Sequence, residues 1–198
     1  MTRYVQEPSR FSPLAFILVP LVFAIVSSLT AIPYALAIWH NPIIYLGIIL
    51  PGIWALVICA GSRWSLKICN VQSVLLAGLL AIIGSLVGFL LHWAVFTDLV
   101  FNRSFIDFNA KYPNSEVRMT SGVTEPEEIK FYIVNYKDTI KIMNDIADED
   151  GLWTIKDAPV TGLVLKLFWL GEAIVFVAAI FIFTGDYVTT RRKALNNP

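Results

Sequence analysis

Charge and cysteine are both scarce in this chain of 198 residues. Only 15% of its residues are charged, whereas ordinary soluble domains carry about 25%. The two cysteines, Cys59 and Cys69, are too few and too poorly placed for a disulfide framework. Equally missing are an H-E-x-x-H helix, a phosphate-binding glycine loop, a cluster of metal ligands and a nucleophile beside a general base. Their absence leaves no candidate catalytic residue, metal or cofactor, so a non-enzymatic role is expected. The formal net charge is zero, and nothing points to nucleic acid.

What the chain has instead is apolar length. Hydrophobic residues make up 57% of it and its mean hydropathy is +0.67. A bilayer core about 30 Å thick takes roughly 20 apolar helical residues, because no water is available there for unpaired backbone groups. Four segments meet that test, from about Pro13 to Trp39, Ile43 to Ala60, Val71 to Phe96 and Val160 to Phe183. The expected fold is therefore an all-α integral membrane protein, with four transmembrane helices and a mainly helical extracytoplasmic insert between the third and the fourth. In chain order this gives a cytoplasmic N-terminus (1–12), helices one to three (13–96), an extracytoplasmic cap (97–159), helix four (160–184) and a cytoplasmic tail (185–198).

Lysine and arginine in the short connections set the orientation. Arg3 and Arg10 precede the first span, Arg63 and Lys67 separate the second from the third, and Arg191, Arg192 and Lys193 follow the fourth. If the spans alternate, all three clusters share one side, which places both termini in the cytoplasm, with a bacterial inner or plasma membrane as the expected address. The cap from Thr97 to Pro159 holds 12 acidic and 7 basic residues, and a loop of that length crosses largely regardless of charge. The Ala35-Leu36-Ala37 triplet fits a signal-cleavage pattern. However, the apolar stretch before it exceeds the roughly 7 to 15 residues of a signal core, so an uncleaved anchor is expected.

Lipid gives helices no hydrophobic reason to associate, and close packing relies on small residues. Ala77, Ala81, Gly84, Ser85 and Gly88 supply such a face on the third span, with Gly84 and Gly88 forming one G-x-x-x-G. Internal packing against the first or second span is the plainer reading, and a dimer seam the other. Ala24, Ser27, Ser28 and Ala31 make a comparable patch on the first span. Pro20, Pro33 and Pro51 can each kink a helix, as they do in many membrane proteins.

Glu172 lies near the middle of the fourth span, where a carboxylate costs on the order of 3 kcal/mol even on lenient insertion scales. An ionisable group at that depth is a candidate proton or ligand site by default. The plainer alternative is a structural hydrogen bond across helices, to Ser27, Ser28 or Ser85. Leu165, Phe168, Trp169, Phe176 and Ala179 share its helical face, and Trp169 is the neighbour expected to order it. Lys166 is six positions away, a rotation of about 240°, so it points elsewhere and its ammonium is expected to reach up to water. His40 and His92 both fall near the ends of their spans. With Trp39, Trp93 and Trp153 they read as anchors at the outer membrane boundary rather than as metal ligands, since neither has a partner at i+4.

Two amphipathic stripes run through the cap. Phe101, Phe105, Phe108 and Tyr112 fit an extension of the third span. Thr124-Glu125-Pro126-Glu127 fits a capping box ahead of Ile129, Tyr132, Ile133, Tyr136, Ile140, Met143 and Ala147, for which helix is favoured over a strand at Phe131 to Val134. Asn102-Arg103-Ser104 is formally a glycosylation acceptor, and the acidic run Asp145, Asp148, Glu149 and Asp150 lacks the pattern of a calcium loop. Four passes, cytoplasmic termini and a large second external loop resemble tetraspanins in topology. The larger loop of that family is tied by disulfides around a Cys-Cys-Gly motif, and this insert has no cysteine, so no membership follows. The leading expectation is a binding or assembly component that acts through its cap, with the bilayer and either a protein partner or a second copy as its contacts. The alternative is a small proton- or cation-linked transporter, or a subunit of one, that uses Glu172.

Overall fold

The computed structural model describes residues 11–40, 46–111, 134–149, 154–155 and 158–196. Five helices account for most of them: α1 (Ala15–Trp39), α2 (Leu46–Ile68), α3 (Val74–Lys111), α4 (Tyr136–Glu149) and α5 (Gly162–Asn196). Between α4 and α5 a short antiparallel pair joins β1 (Thr154–Ile155) to β2 (Ala158–Pro159), with Thr154 opposite Pro159 and Ile155 opposite Ala158. Four helices, α1, α2, α3 and α5, are long and apolar enough to cross a membrane. The chain is a multi-pass membrane protein on that basis.

Several helices outrun their apolar cores. α3 continues through Phe101, Phe105 and Phe108 to Lys111, so these three stripe positions prolong the third span, while Tyr112 lies outside the described residues. At 1.5 Å per residue this helix is about 57 Å long, well beyond a hydrocarbon core. α2 carries Arg63 and Lys67 in its last turns, and α5 carries Arg191, Arg192 and Lys193 as helix. The second stripe is helical from Tyr136. The capping-box segment, residues 129–133 and Trp153 lie outside the described residues.

The four long helices pack as a ring in which α1 contacts α2 and α3, and α5 contacts the same two. The most extensive contact is that of α1 with α3, and its cause is the small-residue face. A Cβ on Gly84 would meet the Pro20 backbone and the Phe23 side chain, and one on Gly88 would meet Ser27. Gly84 and Gly88 thus admit the backbone of α1 itself, inside the bundle. Pro20 and Pro33 are accommodated within α1, and Pro51 within α2. Outward-facing Ile17, Leu29, Leu75, Leu79, Ile83 and Ile174 are exposed, as a surface solvated by lipid requires.

The α2–α3 turn closes one end of the ring. Asn70 takes a positive φ of 49°, and Val71 and Asn70 donate their N–H groups to Leu66 and Lys67, a Schellman ending that satisfies the last carbonyls of α2. Arg191 of α5 donates to the Leu66 carbonyl at 3.2 Å and to Asn70 Oδ1 at 3.1 Å. The Ser12 N–H donates to the Cys69 carbonyl at 3.0 Å. The start of α1, the α2–α3 turn and the end of α5 are therefore tied together. α4 belongs to the opposite end, where it rests on α5 and more lightly on α3.

Candidate functional site

Glu172 is buried, and its carboxylate does not meet a serine. Tyr34 of α1 donates its phenol to Oε1 at 2.6 Å, which supplies the hydrogen bond that a polar group at this depth needs. Ser27 instead bonds the Ala24 carbonyl of its own helix, and Ser85 Oγ is buried without a partner. The cross-helix bond considered for Glu172 is present, with a partner that the serine pattern did not indicate.

His92 stands on the other side of the same oxygen. Its Nε2 lies 4.0 Å from Glu172 Oε1, its exposure is 1%, and neither ring nitrogen has a hydrogen-bond partner among the described residues. Both histidines are expected near the outer boundary; in the structure the His92 ring is buried inside the bundle and turned toward Glu172. His40 does remain at its helix end, exposed, with Nδ1 2.9 Å from the Leu36 carbonyl.

Aromatic rings enclose the pair. Trp54 of α2 stacks on Tyr34 with centroids 4.2 Å apart and planes 11° from parallel. Its indole N–H donates to Thr30 Oγ1 at 2.8 Å, and Thr30 in turn bonds the Val26 carbonyl of α1. Tyr34 also lies 4.6 Å from the His92 ring, and Phe176 lies 4.7 Å from Trp54 and 5.2 Å from Phe89. The Tyr34–Glu172 pair spans the diagonal from α1 to α5, and the Trp54–His92 pair, 5.8 Å apart, spans the diagonal from α2 to α3. Both diagonals pass through the centre of the ring, so all four long helices contribute to one polar point. The buried stripe of α5 through Leu165, Glu172, Phe176 and Ile180 aims the carboxylate there.

The remaining candidates sit elsewhere. Trp169 packs edge-on against Trp93 at 5.2 Å and belongs to the α3–α5 surface beside the site. Lys166 points away from Glu172, as the helical rotation requires, and pairs with Asp148 of α4 at 2.9 Å. Toward the far end of the same α2–α5 seam, Cys59 Sγ is 3.5 Å from Thr184 Oγ1. Tyr34 and Trp54 were missed in the sequence, yet they left a signal. Trp54 falls well inside α2, away from the boundary where belt tryptophans sit, and a tyrosine within a span needs a partner for its hydroxyl.

The fold and site together define a four-helix membrane bundle with a carboxyl, a phenol and an imidazole gathered at its centre. Comparison of the chain with protein-family models, curated proteins and solved structures gave no match, so its functional reading rests on this geometry.

Proposed function

We propose that Glu172, Tyr34 and His92 form a proton-exchange centre, and that the chain works as a small proton- or cation-linked transporter or as a subunit of one. One observation carries the reading: a fully buried imidazole with both nitrogens unpartnered, 4.0 Å from a carboxylate oxygen. Leaving such a group unbonded costs about 1–3 kcal/mol. A small rotation of either side chain closes the gap, so the centre has an open and a hydrogen-bonded arrangement. A proton held on the Glu172 carboxyl in one arrangement passes to His92 Nε2 in the other. Tyr34 keeps the shared oxygen in place throughout, and the surrounding rings exclude water.

In the same reading the end of the bundle with Arg63, Lys67 and Arg191 faces the cytoplasm, following the positive-inside rule, and α4 lies on the opposite side. The binding or assembly role expected of the cap keeps one observation in its favour, the exposed Tyr136 and Ile140 on α4 with Val134 just before it. Its test is removal of residues 136–149, which should change any partner or oligomeric state.

Infrared difference spectra of the protein in vesicles, recorded between about pH 4 and 9, test the centre itself. The proposal expects a carboxyl C=O band that changes with pH, vanishes in Glu172→Gln and shifts in Tyr34→Phe. A proton-flux assay with a trapped pH dye tests the coupling. Wild-type spectra without such a band, or an unchanged flux in Glu172→Gln, would remove the reading.

A further inference from the structure

An apolar groove of about 660 Å³ opens between α3, α4 and α5, a volume typical of small-molecule sites. Phe89, Trp93 and Ala94 form one wall, Trp169 and Ala173 the second, and Met143 of α4 the third. Met143 is buried, whereas Leu90, Leu170 and Ile140 on the rim are exposed. Leu90 and Leu170 stand on helices that cross a membrane, so on their side the mouth of the groove borders acyl chain rather than water. One polar feature adjoins it. Lys166 and Asp148 pair at 2.9 Å, one helical turn from groove residues on each side: Leu170 follows Lys166 by four positions on α5, and Asn144 precedes Asp148 by four on α4. An ammonium has three donors, of which the Asp148 bond takes one, and both side chains are at least one-third exposed.

We propose that this groove holds one acyl chain of a zwitterionic phospholipid with a primary-amine headgroup, whose phosphate meets Lys166 and whose ammonium meets Asp148. Charge complementarity selects that lipid. An anionic headgroup satisfies Lys166 but confronts Asp148 with like charge, and a quaternary ammonium offers Asp148 no N–H donor. The aromatic side chains Trp93, Trp169 and Tyr136 fit the same place, because amphipathic rings settle where acyl chain gives way to headgroup. This site stands on observations separate from the Glu172 centre, and either can fail without the other.

The test uses the full-length protein in phosphatidylcholine vesicles that carry a small fraction of phosphatidylethanolamine with a photoreactive group in one acyl chain. After irradiation, mass spectrometry maps the labelled residues. The expected result is label concentrated on groove residues of α3, α4 and α5 over Leu75, Leu79 and Ile83 elsewhere on the lipid-facing surface. Excess unlabelled phosphatidylethanolamine should displace it and phosphatidylglycerol should not. Lys166→Gln with Asp148→Asn should lower groove labelling by about tenfold, through loss of both charged contacts to the headgroup. Ala173→Trp should fill the groove and lower it further, with circular dichroism reporting whether the variant folds. Uniform labelling of the wild-type surface would mean annular lipid only and overturns the proposal. So does equal displacement by phosphatidylglycerol, or a groove found occupied by residues 112–133 of the chain or by another protein.

Discussion

The α1–α3 seam and the centre on α5 hold the same bundle together by opposite means. Along the seam, Gly84 and Gly88 withdraw their side chains so that the backbone of α1 can approach, and association comes from contact area. At the centre, Glu172 meets Tyr34 of α1 and His92 of α3, with Trp54 of α2 stacked on Tyr34, and association depends on whether hydrogen bonds are completed. Sterics permit one arrangement at the seam. The centre has an oxygen that serves one partner at 2.6 Å and stands 4.0 Å from a second, which leaves room for two. In the proposed reading the seam is the rigid part of the bundle and the centre the switchable one.

The largest expected effect comes from breaking the rigid side. Gly84→Leu drives a side chain into the Pro20 backbone, and overpacking of this kind costs roughly 3 kcal/mol or more. The variant should lose most of its cooperative unfolding transition in detergent, while Leu79→Ala on the exposed face should stay near the wild type. A Gly84→Leu protein with wild-type stability would mean that α1 and α3 are not in backbone contact.

Next in size is Tyr34→Phe, which removes the hydroxyl and leaves the ring stacked on Trp54. Interhelical hydrogen bonds in membranes are worth on average ~0.6 and at most ~1.7 kcal/mol, and a loss of about 1 kcal/mol is expected here. A double-mutant cycle with Glu172→Gln isolates the pairwise energy. A coupling near zero would show that the 2.6 Å contact contributes nothing.

His92→Leu sharpens the contrast because its sign is reversed. Replacing a buried, unbonded imidazole by an apolar side chain of similar size should stabilise the bundle by roughly 1 kcal/mol, yet it should abolish the pH response of the Glu172 band. Stability gained with function lost is what a group retained for proton transfer predicts. A purely structural histidine gives loss of both.

These differences also explain what could be read before the structure. A seam made of small residues repeats at helical spacing on one chain segment, so Gly84 and Gly88 could be picked out directly, and four apolar runs sufficed for the four long helices. Glu172 was visible because a carboxyl inside a span is rare. Its partners were not, because hydrogen bonding across a bundle pairs residues 138 positions apart, and no local periodicity encodes which tyrosine faces which glutamate. The burial of His92 was hidden for a related reason: its position near the end of an apolar run does not say which way the ring turns, and in the structure it turns toward Glu172 of another helix.

The smallest effect belongs to the ion pair that ties α4 to the bundle. Lys166 and Asp148 are exposed to 36% and 56%, and pairs of that kind contribute about 0–1 kcal/mol. Lys166→Gln should therefore leave the unfolding midpoint of the four-helix bundle almost unchanged. Its consequence is local, since α4 rests chiefly on α5 and only lightly on α3. Amide hydrogen exchange in Tyr136–Glu149 should accelerate in the variant while α1 and α3 keep wild-type protection, and moderate salt should have the same effect on the wild type by screening the pair. If exchange in α4 is unaffected, the helix is held by Met143 and the apolar wall alone. If protection of α1 and α3 falls with it, the outer helix is part of the same cooperative unit as the seam, and the division between a rigid side and a switchable one would have to be redrawn around α4.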